Sequence, residues 1–168
     1  MNQYWILAAI AVPLLGAVGI GLLPFKSRKG MQWYIEAVVL LTSAIVAALL
    51  LGGKTGTFHV VHFVHDLSIS FKLDGMSMVF AGLVAILWPL ATLYAFEYMA
   101  HEKQEKRFFL FYTMTYGVTL GIAFASDMLT MYFFYELLTL VTVPLVMHSL
   151  NRESILATPL CIRFFYTI

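Results

Sequence analysis

The sequence predicts an all-α polytopic membrane protein with five transmembrane helices, and three observations predict it. Hydrophobic residues make up 61% of the 168 positions and charged residues 11%, with a mean hydropathy of +0.87, a balance too apolar for an ordinary soluble domain. The apolar residues gather into runs of about 20, the length that crosses a hydrocarbon core ~30 Å thick. Most charges sit between those runs, on alternating sides of the predicted membrane.

The first span, about 4–25, opens on the interfacial aromatic pair Tyr4-Trp5, closes on Lys26-Ser27-Arg28-Lys29 and carries Pro13 at a position that can kink it. Its basic residues follow the apolar run and no small-residue cleavage site stands out, which favours a retained helix over a signal peptide. The second span, about 31–51, has Trp33 and Tyr34 at one interface and ends at Gly52-Gly53. The third, about 75–99, contains Pro89, whose missing N–H bends a helix or frees a carbonyl. The fourth runs about 108–125 and the fifth about 128–150. Only Ser126-Asp127 separates these last two, which requires a tight antiparallel hairpin.

Lys and Arg are retained on the cytoplasmic side. Eight of them (Lys26, Arg28, Lys29, Lys103, Lys106, Arg107, Arg152 and Arg163) follow spans one, three and five, whereas only Lys54 and Lys72 follow spans two and four. The predicted N-terminus is therefore outside and the C-terminus cytoplasmic. The external loop 53–74 holds two β-favouring stretches, Phe58 to His65 and Leu67 to Phe71, which predict a short hairpin. No period of twenty to fifty residues repeats and no linker interrupts the chain, so 1–168 reads as one membrane domain.

Several function classes are excluded. The net charge of +1 leaves no surplus to hold a nucleic-acid backbone. Cys161 is the single cysteine and has no metal-ligand neighbours. His59, His62 and His65 are spaced by three, which suits neither one face of a strand nor a helical zinc pair, so no metal centre is expected. The sequence carries no nucleotide, acyl-transfer or dithiol motif, and so no catalytic site of its own. Gly16, Gly19 and Gly21 suit close helix packing.

A carboxylate near a bilayer centre costs about 2.5–3.5 kcal/mol on insertion scales, which makes Glu136 the leading functional candidate. It lies in the fifth span about nine residues, or ~13 Å, from the start. Tyr132 at i−4 and Thr139 at i+3 share its face and form a narrow polar stripe. Burial without a cation favours the neutral acid and a nearby lysine favours the anion, so such a pair can switch its proton occupancy. The competing reading is a neutral acid that only hydrogen-bonds a neighbouring helix.

In the fourth span Tyr112, Tyr116 and Thr119 form a second stripe, able either to line a hydrated path to Glu136 or simply to pack and back-bond. His148, near the cytoplasmic end, suits a proton relay or an interfacial cap. Pro144 frees the carbonyl of Leu140. Glu36 is expected to reach the headgroups or pair with Lys26, Arg28 or Lys29, and Glu97 to pair with Lys103 or Arg107.

The segment Leu73-Asp74-Gly75-Met76-Ser77-Met78-Val79-Phe80 resembles the entry to the third helix of the antiporter-like subunits of respiratory complex I. The segment Asp127 to Leu140, with Pro144-Leu145-Val146 beyond it, resembles the fifth helix of that family. The same family includes subunits of multisubunit sodium/proton antiporters and membrane-bound hydrogenases. The resemblance implies that Glu136 is the proton-translocation glutamate, partnered in family members by a lysine on a later, broken helix. Family members have about fourteen helices, so the likeness covers their N-terminal third.

The tail 154–168 contains Pro159 and Arg163, cannot span as a helix and reads like an altered start of a sixth one. The sequence is accordingly expected to be an incomplete product. By the resemblance the chain takes part in proton translocation coupled to electron transfer in an NADH-quinone oxidoreductase-like complex in the cytoplasmic (inner) membrane. Its partners would be other membrane subunits, the lipid bilayer and protons or sodium, and those subunits would carry any flavin, iron–sulfur cluster or quinone site. The alternatives are a component of an antiporter or hydrogenase, and a truncated remnant that transports nothing.

Overall fold

The computed structural model describes residues 2–24, 27–52, 56–62, 68–101 and 105–150. Helix α1 spans Asn2–Leu22, α2 Arg28–Leu51, strand β1 Gly56–His62, strand β2 Ser68–Leu73, α3 Gly75–Tyr98, α4 Glu105–Phe124 and α5 Met128–Leu150; a short 3-10 turn, Met99–His101, follows α3. Four of these helices, α1, α2, α3 and α5, are long and apolar enough to cross a membrane. The fourth expected span, α4, falls short of them in apolarity, for a physical reason.

It carries Glu105, Lys106 and Arg107 in its first turn and Tyr112, Thr113, Thr115, Tyr116 and Thr119 further along. Yet much of its surface is covered: Phe109, Thr113, Thr115, Tyr116, Val118, Leu120 and Phe124 are all buried. It packs against α1 on one side and α5 on the other and touches α3 and α2 between them. A helix screened by its neighbours meets little lipid and has no need of an apolar exterior.

Close approach is achieved through small residues. A Cβ at Gly16 would collide with Val38 and one at Gly19 with the Tyr34 hydroxyl, so α1 and α2 meet across these glycines. A Cβ at Gly117 would lie 3.0 Å from the carbonyl oxygen of Ile10. At Gly121 it would strike the ring of Phe134, which lets α5 lie against α4 after a turn of only Ala125, Ser126 and Asp127.

The charged ends of two helices extend further than the hydropathy predicts. α2 starts at Arg28 and α4 at Glu105, ahead of the expected boundaries at Met31 and Phe108. These charges do not mark loops, because their side chains close the ends of other helices. Arg28 donates to the carbonyls of Phe96 (3.1 Å) and Ala100 (3.3 Å), and Lys106 to those of Gly21 (3.1 Å) and Leu23 (3.0 Å). Carbonyls at the ends of α3 and α1, where intrahelical partners run out, are thereby satisfied.

At the opposite end β1 and β2 pair antiparallel, from Gly56 opposite Leu73 to His62 opposite Ser68, with an irregularity between His59 and Val61. β2 is hooked to the α4–α5 turn. Ser126 N–H donates to Ser70 O (2.9 Å), Ser70 N–H to Thr130 Oγ1 (3.1 Å), and the Ser70 hydroxyl to the Asp127 carboxylate. Phe71 packs edge-on against Phe134, with ring centroids 5.7 Å apart. Asp74 then caps α3, its carboxylate accepting the Ser77 N–H at 2.9 Å, with Lys72 Nζ 3.5 Å away.

This packing can be tested at two points. Gly121→Val should destabilise the α4–α5 pair by about 1–3 kcal/mol, the usual cost of overpacking, and adding Phe134→Leu should recover part of the loss in a detergent-unfolding titration. The Asp74 carboxyl is held below its ordinary range, chiefly by the Ser77 backbone N–H. A lowered native value means that its contribution is complete above the unfolded value of about 3.9 and is lost as pH falls through the native one. Acid unfolding curves of the parent and Asp74→Ala should therefore differ at neutral pH and converge at strongly acid pH.

Candidate functional site

The rotation of α5 about its axis decides where Glu136 points. Thr130, Phe134 and Val141 are buried, so this face is held against α4 and β2. At about 100° per residue, Glu136 lies roughly 200° round the helix from Phe134. It is exposed, on a lateral face with Tyr132 (61% exposed), Leu140 and Val143. Tyr132 shares a side-chain hydrogen bond with Glu136 across one helical turn. Thr139 does not add to that pair, since its hydroxyl donates to the carbonyl of Tyr135 at 2.8 Å.

The α4 stripe turns elsewhere. The Tyr116 hydroxyl lies 2.9 Å from Ser43 Oγ of α2, and its ring stacks on Trp88 of α3 at a centroid distance of 5.0 Å. Tyr112 also packs on Trp88, at 5.3 Å, and hydrogen-bonds Thr92. Thr119 donates to the carbonyl of Thr115 at 2.8 Å. Tyr112 and Tyr116 thus face α2 and α3, and the structure does not bring them to Glu136. His148 belongs to α5 but its side chain lies outside the described residues, as do the side chains of His59 and His62, all of His65 and the tail 151–168.

Glu36 is where the structure departs most from expectation. Arg28 is committed to Glu105, at 2.8 Å, Lys29 is exposed and forms no ion pair with Glu36, and Lys26 lies outside the described residues. Glu36 Oε2 is buried without a hydrogen-bond partner, and so is Trp88 Nε1. Tyr112 is close enough for the Glu36 charge to act on it. Glu97, by contrast, is exposed at the end of α3 and forms no ion pair with Arg107, while Lys103 lies outside the described residues. The signal in the sequence that points to the inward orientation is the run Arg28, Gln32, Glu36, Ser43, which repeats along one face of α2.

The chain is similar in sequence to known membrane proteins. Residues 61–109 match the family model described as NADH-Ubiquinone oxidoreductase (complex I), chain 5 N-terminus. A probable K(+)/H(+) antiporter component of Rhizobium meliloti is 28% identical over 141 residues, covering 82% of this chain and 14% of the relative. The chloroplastic NAD(P)H-quinone oxidoreductase subunit 5 of Phaseolus vulgaris is 26% identical over 179 residues, 99% of this chain and 24% of its own length. An Na(+)/H(+) antiporter component of Alkalihalophilus pseudofirmus is 26% identical over 153 residues, 88% of this chain and 18% of its own.

By these matches the chain is similar to antiporter-like membrane subunits, and its long apolar helices are those of a multi-pass membrane protein. The chain spans between 14% and 24% of the length of these relatives.

The clamp at the Arg28 end is directly testable. Glu105 receives Arg28 at 2.8 and 3.1 Å and Gln32 at 3.4 Å, with its side chain only 12% exposed. A double-mutant cycle on Arg28→Gln and Glu105→Gln should give a coupling energy of about 1 kcal/mol, the upper end of the range for exposed pairs.

Proposed function

We propose that this chain is part of a proton-translocating membrane subunit, with Glu136 as the group that takes up and releases the proton. The observation that supports the reading is the position of Glu136: a carboxyl within an apolar helix, on the face turned away from α4, with the Tyr132 hydroxyl beside it. A carboxylate on that face facing lipid is costly, so it calls for a proton or for a protein surface that brings a cation. Approach of a cation favours release of the proton and its retreat favours uptake, so the electrostatics of the pair form the switch. His148 relays protons at the far end of α5 in this reading, and the N-terminus lies outside.

Other membrane subunits supply the remainder of the path and any flavin, iron–sulfur cluster or quinone site. The complex is an NADH-quinone oxidoreductase-like assembly of the cell membrane. The likeness to components of K(+)/H(+) and Na(+)/H(+) antiporters favours a second reading, in which the same glutamate exchanges protons against a monovalent cation.

In the complete assembly, restored to membrane vesicles, Glu136→Gln should reduce proton translocation to background in a pH-dye assay while the amount of inserted protein stays at the parental level. Unchanged translocation would overturn the role of Glu136. A flux that needs NADH supports the first reading, and one that needs only a sodium or potassium gradient supports the second.

A further inference from the structure

The polar groups gathered between α2, α3 and α4 are separate from Glu136 and form a site in their own right. One face of α2 carries Arg28, Gln32, Glu36 and Ser43, spaced so that they line the helix turn by turn. At the end of the helix Arg28 and Gln32 both hold Glu105 of α4. One turn further along lies Glu36, with a buried carboxyl oxygen that accepts no hydrogen bond. Beyond it, Tyr112 bonds Thr92, and the Thr92 hydroxyl donates to the carbonyl of Trp88 at 2.8 Å. One turn deeper, Tyr116 bonds Ser43. Trp88, whose ring stacks on both tyrosines, carries a buried N–H that donates to nothing.

The charges around Glu36 leave its carboxyl without a counter-ion among the described residues. At the shared end of α2 and α4, Arg28 and Glu105 neutralise each other, Lys106 is turned to the carbonyls of Gly21 and Leu23, and Lys29 and Arg107 are exposed. Further along α4 the titratable groups on this side are Tyr112 and Tyr116. α3 offers Trp88 and Thr92, while its Tyr94, Glu97 and Tyr98 are exposed. α1 carries no acidic or basic side chain along its length, and Tyr34 of α2 turns toward its Gly16 and Gly19. A carboxylate held there with an unpaired oxygen is expensive, and a bound proton removes both the charge and the deficit.

We propose that Glu36 is a second proton-binding site, reached past Gln32 from the end of the molecule that carries Arg28 and Glu105, with Tyr112 as the neighbouring hydroxyl. The proposal does not rest on the role of Glu136, which lies on a different face and a different helix.

The test is pH-difference infrared spectroscopy of the full chain in lipid vesicles, read at the carbonyl stretch of protonated carboxylic acids. A band that titrates in the parent should be lost in Glu36→Gln, shifted in Glu36→Asp and Tyr112→Phe, and kept in Glu136→Gln. After a pH jump it should develop more slowly in Gln32→Leu, with its titration midpoint unchanged. Retention of every titrating carboxyl band in Glu36→Gln would overturn the proposal. So would loss of the Glu36 band on adding sodium or potassium at constant pH, which would make the site a cation site. Failure of Glu136→Gln to alter translocation leaves the Glu36 band in place, so the two readings fail separately.

Discussion

The constraint on which the arrangement depends is the polarity of α4. A helix bearing Thr113, Thr115, Tyr116 and Thr119 cannot present itself to lipid on all sides, so its neighbours must cover it. α1 covers it across Gly117, α5 across Gly121, and α2 and α3 meet its tyrosine face. Each of the other helices can then leave an apolar flank toward the membrane: Leu83, Ile86, Leu87 and Leu90 on α3 are all exposed. Exposure of this kind, a liability in water, is the ordinary surface of a protein whose solvent is hydrocarbon.

The two carboxyls of interest occupy contrasting surroundings as a direct result. α5 is fixed by Phe134, and that contact turns Glu136 outward, where its chemistry depends on whatever is brought to the face. α2 packs with the face of Glu36 toward α3 and α4, where its neighbours are already built into the chain. One site is open and is completed by another surface, whereas the other is half-buried and has hydroxyls and an indole beside it.

Much of this architecture was legible in the sequence. The helices fell close to the expected spans because the length of an apolar run and the charges at its ends report directly on a bilayer. Glu136 stood out because it interrupts Phe133-Phe134-Tyr135 and Leu137-Leu138. The orientation of Glu36 was not legible, because a glutamate two turns from Arg28 satisfies a headgroup reading equally well, and only the packing of α2 against α4 distinguishes the two. The direction of the Tyr112 and Tyr116 stripe was obscure for the same reason: periodicity defines a face but not the helix it meets. The hook from Ser70 to Ser126, Asp127 and Thr130 joins residues as many as 60 positions apart and leaves no local pattern.

That hook bears on the order in which the chain is built. A ribosome releases β2 before α4 and α5, so the strand is already waiting when the α4–α5 hairpin reaches the same side. Ser70 precedes Ser126, Asp127 and Thr130 by 56 to 60 residues, so these bonds close only once the start of α5 has been made.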